Sequence, residues 1–207
     1  MNNTIINIGR QFGSGGLSVG ERLAKQLGFG FFDKELINIA SKESGLAVEF
    51  FEQADEKRHF SFFGQLFRLG KSIIDTGELE NNYLTNNTLF QIQSDVIRSL
   101  AEKQSCVFVG RCADYILREN PCCLNIFITA NIEDRIARVA KRQNLSPETA
   151  KNILEKADKK RAAYYNFYTN KTWGAAESYH LCINTSVLGI DGTVGYILGL
   201  VEKRKNR

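Results

Sequence analysis

Between Ile5 and Leu27 the chain reads IINIGRQFGSGGLSVGERLAKQL: an apolar run, a glycine break, then helical spacing. Ile5, Ile6 and Ile8 have the pattern of a buried strand, and Val19, Leu23, Ala24 and Leu27 fall on one face of a helix. Strand, glycine loop and helix together aim several backbone N–H groups at one point, and the positive end of the helix dipole adds to the attraction for an anion. Glycine suits the loop because a Cβ would hold a phosphate away from the main chain. Ser18, in the first helical turn, offers a hydroxyl to a magnesium ion.

The loop matches two phosphate-binding patterns incompletely. Against G-x-x-x-x-G-K-[ST], aligning Gly13, Ser14 and Gly15 with the final glycines puts Gly16 where the lysine belongs, and Leu17 follows. Ser18 then reaches the hydroxyl position only with one extra residue. Against G-x-G-x-x-G, Gly13 and Gly15 are present, Ser18 replaces the third glycine, and Asp33 lies near the expected acidic position. The stretch indicates an anion-binding loop and leaves mononucleotide and dinucleotide both open.

A chain of 207 residues is long enough for one well-cored domain. Its net charge of +4 suits an anionic small molecule better than a nucleic-acid track, so no nucleic-acid partner is expected. No apolar run is long enough to cross a membrane, and the N-terminus enters a strand without a basic-then-apolar leader. Five cysteines without C-x-x-C spacing, four of them in apolar strand-like runs, read as packed free thiols. The expected location is the cytoplasm.

Beyond the loop, Phe29 to Phe32 reads as a strand ending at Asp33, which lies either at a ligand or at the cap of a helix from Lys34. Helical spacing then continues to about residue 103. Gln93 and Arg98 project from a predicted 84–103 helix, and a phenylalanine cluster (Phe50, Phe51, Phe60, Phe62, Phe63 and Phe67) suggests a core or a homodimer surface. Cys106 to Val109 is a buried strand running into Gly110 and Arg111, where an arginine at a strand end can grip a phosphate with two parallel hydrogen bonds. A helix at 112–118 and a strand at 122–128 follow. Asn131 is the expected N-cap of a helix on which Arg135, Arg138 and Arg142 share one face. Ser146 and Pro147 start another helix, along which Asp158 and Arg161 are neighbours. A strand at 180–184 and a helix from about residue 191 close the chain. Five strands separated by helices imply an α/β fold: a parallel sheet covered on both faces.

The phrases GRQFGSGG, FFDKELI, VFVGRCADYIL and DKKRAAYYNFYT resemble blocks of the cytidylate kinase-like family of P-loop nucleoside monophosphate kinases, in order and over essentially the whole chain. The resemblance implies a single P-loop NTPase domain over 1–207, with a helical acceptor-site insert at about 34–103 and a lid hairpin at about 143–175. It implies ATP and magnesium as cofactors and a nucleoside monophosphate such as CMP as acceptor. The donor phosphates would lie on Arg10, Gly13, Ser14, Gly15, Gly16, Leu17 and Ser18, with Ser18 also at the metal. The acceptor would meet Asp33, Lys34, Gln93, Arg98, Gly110 and Arg111. Arg111, Arg135, Arg138, Asp158 and Arg161 would act on the transferring group.

The sequence departs from the family pattern at Gly16, at Leu17, where related sequences carry arginine, and at Asp33-Lys34-Glu35, where D-[ST]-G is usual. Arg10 at the loop mouth, or a lid arginine, is the expected substitute for the lysine. Three readings follow: a phosphotransferase, a nucleotide-binding module with weak or no catalysis, and a dinucleotide-dependent oxidoreductase.

Overall fold

Five short runs form the strands, all parallel: β1 (Ile5–Arg10), β2 (Gly30–Phe32), β3 (Cys106–Val109), β4 (Cys123–Thr129) and β5 (Leu181–Asn184). The computed structural model describes residues 3–34 and 79–205. Its chain divides into two compact units, one of Met1–Glu35 with Ile97–Arg207 and one of Leu36–Val96. The phenylalanine cluster of residues 50–67 lies outside the described residues, as does the helix expected after Lys34.

The strand order is β2-β3-β1-β4-β5, so the glycine loop leaves from the central strand. Alternation fixes which side chains face which layer. Ile6, Ile8, Val107, Val109, Leu124 and Ile126 turn to one face. There they meet Val19, Leu23 and Ala24 of α1 (Gly16–Leu27), together with Val194, Ile197 and Val201 near the C-terminus. Burying each large aliphatic side chain contributes about 1.5–3 kcal/mol. The intervening positions face the opposite layer. There the Cys106 thiol approaches the Leu100 carbonyl of α2 (Leu79–Lys103), and the Cys123 thiol approaches the Leu117 carbonyl just past α3 (Ala113–Ile116).

Two long helices, α4 (Ile132–Gln143) and α5 (Pro147–Thr169), form a hairpin around Val139, Ala150 and Leu154. The Ser146 hydroxyl accepts from the Thr149 N–H at 3.2 Å and Pro147 takes the first turn, as the sequence predicts. Asn131 precedes α4 without capping it. Its Oδ1 instead accepts from Asn184 Nδ2 at 2.9 Å, tying the helix start to the end of β5.

Three further expectations change. The helix predicted at 112–118 is only α3, because Arg111 and Cys112 both take left-handed backbone conformations before it. The last helix, α6 (Thr185–Lys205), begins directly after β5 and breaks its helical geometry at Gly189. Cys182 lies on edge strand β5 and is exposed rather than packed, whereas Cys106, Cys112 and Cys123 are buried. Among the described residues no helix is long and apolar enough to cross a membrane.

Candidate active site

Strand register sets the geometry of the site. Ile8 pairs with Val109, the last residue of β3, so Gly110 and Arg111 leave the sheet beside Gly9 and Arg10, which continue β1 against Phe127 and Ile128 of β4. They emerge at its carboxyl edge, where ligands of open parallel sheets bind. Gly110, Arg111 and Cys112 have φ values of 85, 58 and 56°. A left-handed conformation costs a non-glycine residue about 1–2 kcal/mol, and such strain concentrates at functional sites. The turn is held by Gly110 N–H donating to the Ile8 carbonyl at 3.1 Å and by Ile116 N–H donating to the Cys112 carbonyl at 2.9 Å.

A cavity of about 420 Å³ opens at this edge, within the usual size range of small-molecule sites. Arg10, Arg111, Arg161, Lys34 and Lys160 supply its cations. Tyr164, Tyr165, Trp173 and Tyr179 make an aromatic wall, and Asp114 lies among them. The Arg111 guanidinium stands 5.3 Å from the centroid of the Tyr164 ring, whose phenol burial pushes up to about 12. Burial and the positive charges of Arg161 and Arg111 push the Arg10 pKa down to about 9, while Asp33 pulls it upward. Burial also lowers the pKa of Arg161, with Asp158 opposing. Like charges crowded in a partly dry pocket favour a bound anion.

The glycine loop is gripped from behind by the hairpin. The Phe12 ring packs against the hairpin core between the guanidinium groups of Arg142 and Arg161, at 5.5 and 5.2 Å. Its N–H donates to Asp158 Oδ1 at 2.7 Å, and its carbonyl accepts from Arg135 Nε at 2.8 Å. Arg135, only 6% exposed, also pairs with Asp158. Arg138 donates to the Gly13 carbonyl at 3.3 Å and to the Thr185 hydroxyl at 3.0 Å. Arg161 donates to the Arg10 carbonyl at 3.0 Å. Two of the three arginines expected on one face of α4 thus turn inward: Arg135 donates to the Phe12 carbonyl and Asp158, Arg138 to the Gly13 carbonyl and Thr185, whereas Arg142 stays exposed.

The remaining predicted residues fall as follows. Ser14 is fully buried; its hydroxyl donates to the Gln11 carbonyl at 2.8 Å, and its own carbonyl accepts from the Thr185 hydroxyl at 2.7 Å. Gly15, with φ of 84°, precedes α1 without a side-chain cap, and no acid sits in the first turn. The first amides of α1 are therefore without intrahelical acceptors. Leu17 is exposed and Ser18 half-buried in that turn. Asp33 directly follows β2 and lies near enough to Arg10 to raise its pKa. Gln93 is buried in the other unit, and Arg98 is exposed on α2.

Sequence reasoning missed Phe12, Asp114 and Thr185. Asp114 lies three residues past Arg111, and Thr185 directly follows β5, so both occupied positions next to predicted features. Only packing shows that Phe12 belongs to the hairpin. The Tyr165 hydroxyl donates to Asp114 Oδ2 at 2.7 Å, and burial raises the Asp114 pKa while that hydrogen bond lowers it.

Residues 5–187 match the model of the cytidylate kinase-like family. A cytidylate kinase of Methanothrix thermoacetophila is 31% identical over 111 residues, covering 54% of this chain and 63% of that protein, less than two thirds of its length. The crystal structure of an uncharacterised protein from Eubacterium ventriosum superposes with a TM-score of 0.74 at 28% identity, covering 97% of this chain and 99% of that one. Shikimate kinase from Bacteroides thetaiotaomicron shares the fold, with a TM-score of 0.54 at 14% identity and coverage of 96 and 98%.

Proposed function

We infer a phosphotransferase from the premise that this chain belongs to the cytidylate kinase-like family, the γ-phosphoryl group of ATP passing to a small phosphorylated acceptor, best a nucleoside monophosphate such as CMP. The observation that carries this reading is the convergence of Arg10, Arg111 and Arg161 on one cavity. In the reaction an acceptor phosphate oxygen bonds to the γ-phosphorus, and the bridging oxygen leaves with ADP. The transition state is loose, so positioning and charge neutralisation do most of the work.

Arg111 suits the acceptor phosphate, because its strained turn and the Tyr164 ring fix the guanidinium at the sheet edge. Arg161 reaches the same cavity from α5, placing a second guanidinium where charge shifts during transfer. Lys34 and Asp33 flank the acceptor side. The amides of Gly15 to Ser18 suit the donor phosphates, a fit supported by the glycines there and the absence of an acid in the first turn. Arg135, Arg138 and Asp158 hold the loop in place. The Ser18 hydroxyl is the protein group that would hold magnesium, which would supply charge neutralisation during transfer.

The test is a panel of nucleoside monophosphates with ATP and magnesium, read as diphosphate formation. The expected result is turnover of at least one acceptor, falling by roughly 10²–10³ in Arg111→Gln. No diphosphate from any monophosphate would sink the kinase reading. A nucleotide-binding module without transfer is the second reading, favoured by Gly16 and by the seating of Asp158 on the Phe12 amide. Tight ATP binding in titration calorimetry with no turnover would select it. The glycine spacing that opened the dinucleotide reading gains no support from the family match.

A further inference from the structure

We propose that the cation missing from the start of α1 has been moved to the end of β1: Arg10 meets the donor phosphates, and Gly16 and Gly110 are the two openings that let its side chain through. The inference rests on the kinase reading and deepens it.

Position 16 is where the loop pattern puts lysine. A Cβ built at Gly16 would lie 2.5 Å from Arg10 Cβ and 3.0 Å from Arg10 Cγ. Those atoms sit at the root of the side chain, fixed by the strand, and cannot swing aside as a chain tip can. A lysine at 16 and any side chain at 10 therefore exclude one another in this backbone. At the far end, a Cβ at Gly110 would lie 2.1 Å from Arg10 Nη1 and 3.1 Å from Cζ. Gly110 also has a φ of 85°, which a residue with a Cβ rarely adopts. Root and head of Arg10 each cross a glycine, and the head emerges in the cavity wall with Arg111 and Arg161. A lysine from the helix and an arginine from the strand thus deliver a cation to the same junction from opposite sides.

The experiment compares ATP and inorganic tripolyphosphate affinity, by titration calorimetry, in the full chain and its variants, with circular dichroism melts to establish folding. Arg10→Met keeps the stem against Gly16 and removes the charge; binding of both probes is expected to weaken at least tenfold. Gly16→Lys alone is expected to weaken binding comparably, through collision with Arg10. Gly16→Lys combined with Arg10→Gly, which removes the clashing Cβ, is expected to recover affinity to within a few-fold of the parent. Parent-like affinity in Arg10→Met overturns the proposal, as does a double variant no better than Arg10→Gly alone. A parent that binds ATP yet phosphorylates no acceptor sinks the kinase reading instead, and the affinity comparison still decides the role of Arg10.

Discussion

Asp114 and the Tyr165 hydroxyl form a polar contact inside an aromatic wall, and the carboxylate has its pKa raised by burial. A carboxyl whose folded-state pKa lies above its unfolded value holds its proton more tightly in the folded chain. Its favourable contribution is complete below the ordinary value of 3.8 and disappears as pH rises through the folded value. Asp114→Asn keeps an acceptor for Tyr165 and removes the charge. Its stability relative to the parent should rise as pH increases above 3.8 and then level off, as followed by urea melts across the acidic range. An unchanged difference at every pH would show that Asp114 carries no such burden. At this scale Gly110-Arg111 was legible as a phosphate-binding candidate, because a cation directly after a core strand is a local pattern, whereas Arg161 became a candidate only through the family resemblance. Phe12 was not, because nothing in GRQFGSGG marks a phenylalanine as a hairpin core residue.

The α4–α5 hairpin and the glycine loop are one mechanical element. Asp158 accepts from the Phe12 amide and from Arg135, and Arg135 also holds the Phe12 carbonyl, so the loop is clamped on both sides of one residue. Removing one partner of a buried pair leaves the other charge uncompensated, which typically costs about 3–5 kcal/mol. Asp158→Ala should lower stability by about that amount. Adding Arg135→Met should recover much of the loss, because the orphaned cation goes with it. Additive losses in the double-mutant cycle would mean that the two side chains are not coupled. The helices themselves were readable from Ser146-Pro147 and from apolar spacing. Which way α4 turned was not, because Arg135, Arg138 and Arg142 at helical spacing suit a solvated face and a loop-facing one equally.

For the whole molecule, the cations gathered at one cavity link anion binding to folding. A ligand that binds only the folded chain adds about 2.7 kcal/mol at a hundred times its dissociation constant. ATP at that excess should raise the melting temperature by about 2–4 °C for each kcal/mol gained. No rise under those conditions would contradict nucleotide binding by the folded chain.

The sequence by itself determined the five strands, the glycine junction after the first and the alternation with helices, because periodicity and glycine placement act over a few residues. It also held enough ordered phrases to point to the family. Tertiary structure alone decided which cations share a space. Arg10 and Arg161 are 151 positions apart in the chain, and they meet through the β1–β3 register and the packing of Phe12 into a distant hairpin. Whether a side chain faces a ligand or a carbonyl depends on such long-range contacts, which no local spacing encodes.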